Sequence, residues 1–137
     1  MTIIVINLCF LCMVNNQIMK KRHFLHCRLA GFTYYEGPEV FEQLKIGTQL
    51  SLQYEKDNKF DPYAVAVYFG EAKLGFIPRE YNHEISKFLE MGYQLFETQI
   101  QRISRDENPE NQIQIVVYLL PNPEVSEETN NKVKDRR

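Results

Sequence analysis

Residues 57–79, with the sequence DNKFDPYAVAVYFGEAKLGFIPR, contain the pattern that decides the fold of this chain. Residues 64–69 are apolar at every position, as expected for an internal strand that is covered on both faces. The Gly-Glu-Ala-Lys sequence at 70–73 is typical of a tight hairpin, and residues 74–77 then form the returning strand. The segment therefore predicts two adjacent antiparallel strands that follow a polar loop.

The rest of the chain adds four predicted strands and two predicted helices. The strand at 49–56 alternates apolar and polar side chains, which predicts one buried and one exposed face. The helix at 80–91 carries an apolar stripe of Ile85, Phe88 and Leu89, which predicts a buried side. The other predicted elements are strands at 23–32, 95–104 and 112–120 and a short helix at 38–44. The predicted fold class is mainly β with one or two short helices, arranged as a small OB/SH3-like β-barrel.

Composition changes at both ends of the chain and predicts three parts. We interpret residues 1–22 as an N-terminal extension, of which residues 1–18 precede a true start at Met19. The alternative is an extra strand or a short membrane-associated segment. The apolar run of this extension is shorter than the about 20 residues that span a bilayer, so we expect no membrane span. Residues 23–120 form the predicted β-barrel domain, and the polar residues 121–137 form a flexible tail.

The sequence lacks the motifs of several common catalytic classes. It has no P-loop, no Gly-x-Ser-x-Gly and no His-Glu-x-x-His, so we expect no enzyme activity. Its three cysteines form no metal-binding or disulfide framework, so we expect no metal, no cofactor and a cytoplasmic location. The formal net charge of −2 provides no strong basic field for nucleic acid.

Two linked sequence blocks resemble the HIRAN domain family. Residues 57–68, DNKFDPYAVAVY, are similar to the N-P-Y-D-x-x-A-I-x-V signature of that family, and residues 73–79, KLGFIPR, are similar to its second block. Tyr34 and Tyr35 stand where the family opens its first loop. The similarity covers roughly residues 24–120, and the spacing of the two blocks makes it specific.

The resemblance implies an OB-like β-barrel that binds single-stranded DNA, holds its 3′ end in an aromatic pocket and acts in DNA repair or DNA processing. In that pattern Phe60 stacks on the terminal base, Tyr34 offers a second stacking surface, and Asp61 accepts a hydrogen bond from the 3′ hydroxyl. Asn58 shapes the loop and Arg79 contacts a phosphate. Hydrolase activity in the family belongs to relatives fused to helicases. The implied nucleic-acid-binding residues are Tyr34, Asn58, Lys59, Phe60, Asp61, Phe76 and Arg79.

Three positions depart from the family pattern. Lys59 replaces a proline, Phe60 lacks the hydroxyl of the family's tyrosine, and Thr33 replaces a basic residue. Residues 23–120 also carry nine Lys and Arg against fourteen Asp and Glu, a formal net charge of −5. Because phosphate contacts supply much of the affinity for DNA, we expect weak and salt-sensitive binding.

Other interpretations of the same residues stay open at the level of sequence. Phe60 could pack in the core at the start of the strand, and Asp61 could cap its own loop. The acidic composition also suits a protein-interaction domain that binds a basic partner in the same groove. A metal-dependent enzyme that uses Asp57 and Asp61 ranks third, because Asp in turns usually accepts hydrogen bonds from backbone amides.

Overall fold

The computed structural model describes residues 20–122 of the chain, which form six strands and two α-helices. The strands are β1 (Arg22–Arg28), β2 (Gln49–Tyr54), β3 (Val65–Phe69), β4 (Ala72–Phe76), β5 (Phe96–Ile103) and β6 (Ile113–Leu119). The helices are α1 (Gly37–Val40) and α2 (Arg79–Glu90), and short 3₁₀ turns lie at Phe32–Tyr34, Phe41–Gln43 and Pro109–Asn111. The predicted fold class, mainly β with short helices, is confirmed.

The six strands form one sheet in the order β1–β6–β5–β2–β3–β4. The β2–β3, β2–β5, β3–β4 and β5–β6 pairs are antiparallel. A bridge between Ala30 and Phe76 joins the chain just after β1 to β4 on the opposite edge, through backbone hydrogen bonds of 2.9 and 2.8 Å. Within residues 20–122 the two edges meet at this single residue pair, so the barrel is partly open.

Gly75 permits the close approach of the two edges. A Cβ atom added at Gly75 would lie 2.3 Å from the carbonyl oxygen of Ala30, well inside van der Waals contact. The glycine of the KLGFIPR block is therefore required by the bridge that brings β4 against the segment after β1.

The core lies between the curved sheet and helix α2. Val65, Ala66 and Val67 of β3 are completely buried, which confirms the prediction of an internal strand covered on both faces. Ile85 of α2 is also completely buried, and Leu89 packs against the same cluster. Burial of each such aliphatic side chain contributes about 1.5–3 kcal/mol, so this cluster fixes the helix on the sheet.

Two predicted elements differ in extent from those in the structure. The strand predicted at 23–32 ends at Arg28, because Gly31 has a φ of 76° and turns the chain into a 3₁₀ turn. The helix predicted at 38–44 divides into α1 and the 3₁₀ turn Phe41–Gln43. A helix of one turn has too few hydrogen bonds to propagate without packing support.

The residues His23–Leu119 form one compact unit of the chain. Most of the N-terminal extension and polar tail predicted from sequence, residues 1–19 and 123–137, lies outside the described residues. Within residues 20–122, no helix has the length and apolar character needed to cross a membrane.

Candidate functional site

The loop between β2 and β3 is held by the side chain of Asn58. Its Oδ1 atom accepts hydrogen bonds from the backbone N–H groups of Phe60 and Asp61, at 2.9 and 3.0 Å. Its Nδ2 atom donates to Glu55 Oε2 at 3.0 Å. This turn, which is typical of asparagine, fixes the backbone so that the Phe60 ring points away from the core. The structure thus gives Asn58 a role in shaping the loop.

Phe60 is 85 % exposed, so the interpretation of Phe60 as a core residue is wrong. Tyr34, in the 3₁₀ turn after β1, is 79 % exposed. Both rings line the same concave pocket, which has a volume of about 260 Å³. Two large aromatic side chains that share a pocket while facing solvent are typical of a binding surface, because neither gains the free energy of burial in the free protein.

The pocket brings together six of the seven predicted site residues. Its lining includes Tyr34, Asn58, Phe60, Asp61, Phe76 and Arg79. The seventh, Lys59, lies on the same loop but does not line the pocket. The β3–β4 hairpin and the β2–β3 loop therefore place the two sequence blocks side by side.

The Asp61 carboxylate already accepts hydrogen bonds within the protein. Its Oδ1 atom accepts from the backbone N–H of Tyr63 at 2.9 Å, and its Oδ2 atom accepts from Asn82 Nδ2 at 2.7 Å. The side chain is 15 % exposed and lies 3.8 Å from the Nε atom of Arg79. The capping interpretation of Asp61 is therefore confirmed. A carboxylate has about four lone-pair sites, so it retains capacity for a further donor.

Arg79 is the first residue of helix α2, and its side chain reaches the loop between β2 and β3. Its guanidinium donates a 3.0 Å hydrogen bond to the carbonyl oxygen of Phe60. Its Nε atom is paired with Asp61, but the side chain is 72 % exposed, so the other N–H groups face solvent at the edge of the pocket. A planar guanidinium with free donors suits a phosphate or a carboxylate.

Tyr35 lines the pocket and Lys73 and Glu55 support it, although none of the three was among the predicted site residues. Tyr35 packs edge-on against Phe76, with ring centroids 5.4 Å apart, and both line the pocket. The ammonium of Lys73 lies over both rings, 4.8 Å from the centroid of Tyr35 and 4.4 Å from that of Phe76. Lys73 also forms an ion pair with Glu55. The Tyr34-Tyr35 repeat was a sequence signal for Tyr35. Lys73 is the first residue of the KLGFIPR block, but no local pattern predicted its role, and none pointed to Glu55 or Asn82.

Three side chains among residues 20–122 have pKa values that depart clearly from their ordinary ranges. Desolvation, with a smaller effect of the Glu90 carboxylate, raises the pKa of Tyr54. Partial burial raises the pKa of Glu55, but hydrogen bonds from Lys73 and Asn58 outweigh it, and the net pKa is lowered. Burial raises the pKa of the Cys27 thiol to about 12, against a smaller opposing effect of Arg28. Cys27 therefore stays protonated and unreactive at neutral pH. Among residues 20–122, no group of three or more His, Cys, Asp or Glu side chains could hold a metal ion.

A larger groove of about 810 Å³ lies along β2, β5 and the end of helix α2. Tyr54, Tyr93 and Phe96 contribute aromatic surface to it, and Lys56 and Glu90 contribute opposite charges. None of the predicted site residues lines this groove, so size alone does not select the site.

A partly open β-barrel with an aromatic pocket is the architecture of a small binding module. The family model of the HIRAN domain matches residues 23–120, so the chain belongs to the HIRAN domain family, a family of nucleic-acid-binding modules. The match includes both sequence blocks and every residue of the pocket.

Two solved structures share the fold. A protein from Lactobacillus plantarum is 19 % identical, with a TM-score of 0.64 over 75 % of this chain and 98 % of that chain. The HIRAN domain of human HLTF is 14 % identical, with a TM-score of 0.58 over 81 % of this chain and 86 % of that chain. No curated protein shows a significant sequence match.

Proposed function

We propose that this chain recognises single-stranded DNA by its 3′ end, with the end held in the pocket of Tyr34, Phe60 and Asp61. One observation supports the proposal: two exposed aromatic rings line the same small pocket as the Asp61 carboxylate. Flat aromatic surface beside an acceptor-only group suits a ligand that combines a base with a hydroxyl donor.

The aromatic rings supply most of the affinity in this account. Stacking of one base on an aromatic side chain contributes about 1–3 kcal/mol and tolerates every base, because each base has a π-face. Phe60 and Tyr34 are free to stack without unpacking the core, since both are mostly exposed. The expected binding is therefore largely independent of sequence.

Asp61 supplies the preference for a free end. Each of its oxygens accepts one internal hydrogen bond, which leaves further lone pairs for a hydroxyl. A carboxylate repels the phosphate that follows an internal nucleotide, so a continuous strand is disfavoured in the same position. The carboxylate thus gives the pocket a preference for a terminal 3′ hydroxyl.

Arg79 and Lys59 provide the phosphate contacts. The Arg79 guanidinium lies at the edge of the pocket, where it is paired with Asp61 but mostly exposed, and Lys59 is exposed on the loop that carries Phe60. Two cations in a domain whose formal net charge is −5 can contact about two phosphates but do not form a basic surface. The strand leaves the pocket along these residues, and affinity stays modest.

The proposed role is binding without catalysis, in DNA repair or DNA processing. The cytoplasm is the proposed location, because the cysteine content of the chain suits a reducing compartment. A second candidate is a protein-interaction domain, and the acidic balance of residues 23–120 favours it, since it attracts a basic partner. DNA and a basic peptide would compete for the same pocket.

The test uses oligonucleotides labelled at the 5′ end, with fluorescence anisotropy as the readout. Phe60→Ala and Tyr34→Ala should each weaken binding about 5- to 150-fold, the equivalent of one lost stacking contact. Tyr93→Ala is the matched control, because Tyr93 is 55 % exposed but does not line the pocket. Unlabelled circular single-stranded DNA should compete poorly. Equal losses of affinity in all three variants, or strong competition by the circular DNA, would contradict binding of the 3′ end in this pocket.

A further inference from the structure

Lys73 of β4 lies behind the pocket, where its ammonium covers two of the pocket's aromatic rings. The nitrogen is 4.8 Å from the ring centroid of Tyr35 and 4.4 Å from that of Phe76. The same ammonium is bonded to Glu55, which directly follows β2, and both side chains are 24 % exposed. A lysine in this position is held by an aromatic surface and a carboxylate together.

Glu55 continues the chain of contacts to the loop that carries Phe60. It accepts a hydrogen bond from Asn58 Nδ2 at 3.0 Å through the carboxylate oxygen that is not bonded to Lys73. The Asn58 Oδ1 atom in turn accepts the backbone N–H groups of Phe60 and Asp61. One carboxylate oxygen of Glu55 thus bonds to Lys73, and the other bonds to Asn58.

The backbone of Lys73 holds the other loop of the pocket. Its N–H donates to Glu36 Oε2 at 3.1 Å, and its carbonyl accepts from the Glu36 N–H at 3.0 Å. Glu36 directly follows Tyr34 and Tyr35. One residue of β4 is therefore bonded, directly or through Glu55, to both loops that present aromatic rings.

We infer that Lys73 and Glu55 are positioning residues that fix the distance between the two aromatic loops of the pocket. Neither residue needs to touch the ligand. The inference about loop order stands on these contacts alone, while its effect on DNA affinity rests on the proposed function. A pocket held in one arrangement before binding loses less conformational entropy when the ligand enters.

A merely stabilising ion pair would act differently from a positioning pair. It would lower the free energy of unfolding of the whole domain and leave the loop as ordered as before in the folded state. A positioning pair raises the local opening of the loop even where the domain stays folded. The amide protons of Phe60 and Asp61 report this opening, because both are bonded to Asn58.

The experiment measures amide hydrogen exchange of Phe60 and Asp61 by NMR in the full chain. Lys73→Met, which keeps the apolar stem, and Glu55→Ala should each speed exchange at least about 10-fold at these two amides. The effects should be non-additive in the double variant, since both act through one connection. Lys73→Arg retains a cation over the rings and should restore slow exchange. Lys87→Met, which removes an exposed ion pair with Glu84, is the control and should change nothing.

Unchanged exchange in folded Lys73→Met and Glu55→Ala would overturn the inference. If either variant does not fold, the milder Glu55→Gln decides, with faster loop exchange supporting the inference and unchanged exchange overturning it. Affinity for a single-stranded oligonucleotide should fall about 3- to 10-fold in parallel. If the wild-type chain binds no DNA, the proposed function fails, and the exchange data still decide whether the pair positions the loops.

Discussion

The side-chain amide of Asn82 donates a 2.7 Å hydrogen bond to the carboxylate of Asp61 and so connects helix α2 to the loop that presents Phe60. Asn82 is only 2 % exposed, so its side-chain amide cannot bond to solvent instead. Asp61 therefore stabilises the packing of this loop against helix α2 in the absence of a ligand. The same carboxylate can hold the loop and accept a hydroxyl, because it has more lone pairs than internal donors.

Asp61→Ala should lower the free energy of unfolding by about 1–3 kcal/mol, because it leaves the buried Asn82 amide without an acceptor. Asp61→Asn keeps an acceptor oxygen and should cost less. Urea unfolding of the two variants beside the wild-type chain measures the difference. An Asp61→Ala variant as stable as wild type would mean that the contact with Asn82 contributes nothing to the fold.

Gly75→Ala should destabilise the domain by about 1–3 kcal/mol, the usual cost of overpacking. The added Cβ would lie 2.3 Å from the Ala30 carbonyl oxygen and force apart the bridge between the edges of the barrel. Thermal unfolding should show a drop of at least about 4 °C. Gly70→Ala, at a turn with nothing within 4 Å of the new Cβ, is the control and should cost less. Equal losses at the two positions would argue against a steric role for Gly75.

Sequence patterns predicted the strands well because each strand has its own hydrophobic pattern. The alternation in β2 and the apolar run in β3 correspond to their buried faces in the structure. Loop chemistry was also local, since Asn58 bonds to amides only two and three residues away. These features depend on neighbours in sequence, which periodicity and turn preferences describe.

The contacts that complete the site join residues far apart in sequence. Asn82 follows Asp61 by 21 positions, and Lys73 follows Glu55 by 18. No periodic pattern relates such pairs, because their distance depends on how α2 and β4 pack in three dimensions. The bridge between Ala30 and Phe76, which partly closes the barrel, could not be predicted from the sequence for the same reason.

The ion pair of Glu55 with Lys73 should make the stability of the domain depend on pH in the acidic range. Because the folded pKa of Glu55 lies below its ordinary value of 4.5, its contribution to stability is present above that pH and is lost as the pH falls through the folded pKa. Thermal unfolding of wild type and Glu55→Gln, scanned between pH of about 3 and 6, should differ most at the upper end. A difference that is constant across the range would contradict this assignment.

DNA binding should weaken as the salt concentration rises, with a slope set by the small number of phosphate contacts. If Arg79 and Lys59 each contact one phosphate, the slope of log K against log salt concentration should be about −1.4 for a single strand. Lys59→Ala should halve the slope, whereas Lys45→Ala, an exposed lysine outside the pocket lining, should leave it unchanged. Affinity titrations at several salt concentrations give the slope. A slope steeper than about −3 would indicate a wider phosphate-binding surface than these two residues provide.

The most direct test of the account compares two oligonucleotides that differ only in a free 3′ hydroxyl or a 3′ phosphate. The wild-type chain should bind the hydroxyl end at least about 10-fold more tightly, because the Asp61 carboxylate accepts from a hydroxyl and repels a phosphate. Asp61→Asn, which removes the negative charge, should abolish most of that preference while it still binds through Phe60 and Tyr34. Equal affinity of the wild-type chain for both ends would contradict end recognition by Asp61, whatever the strength of binding.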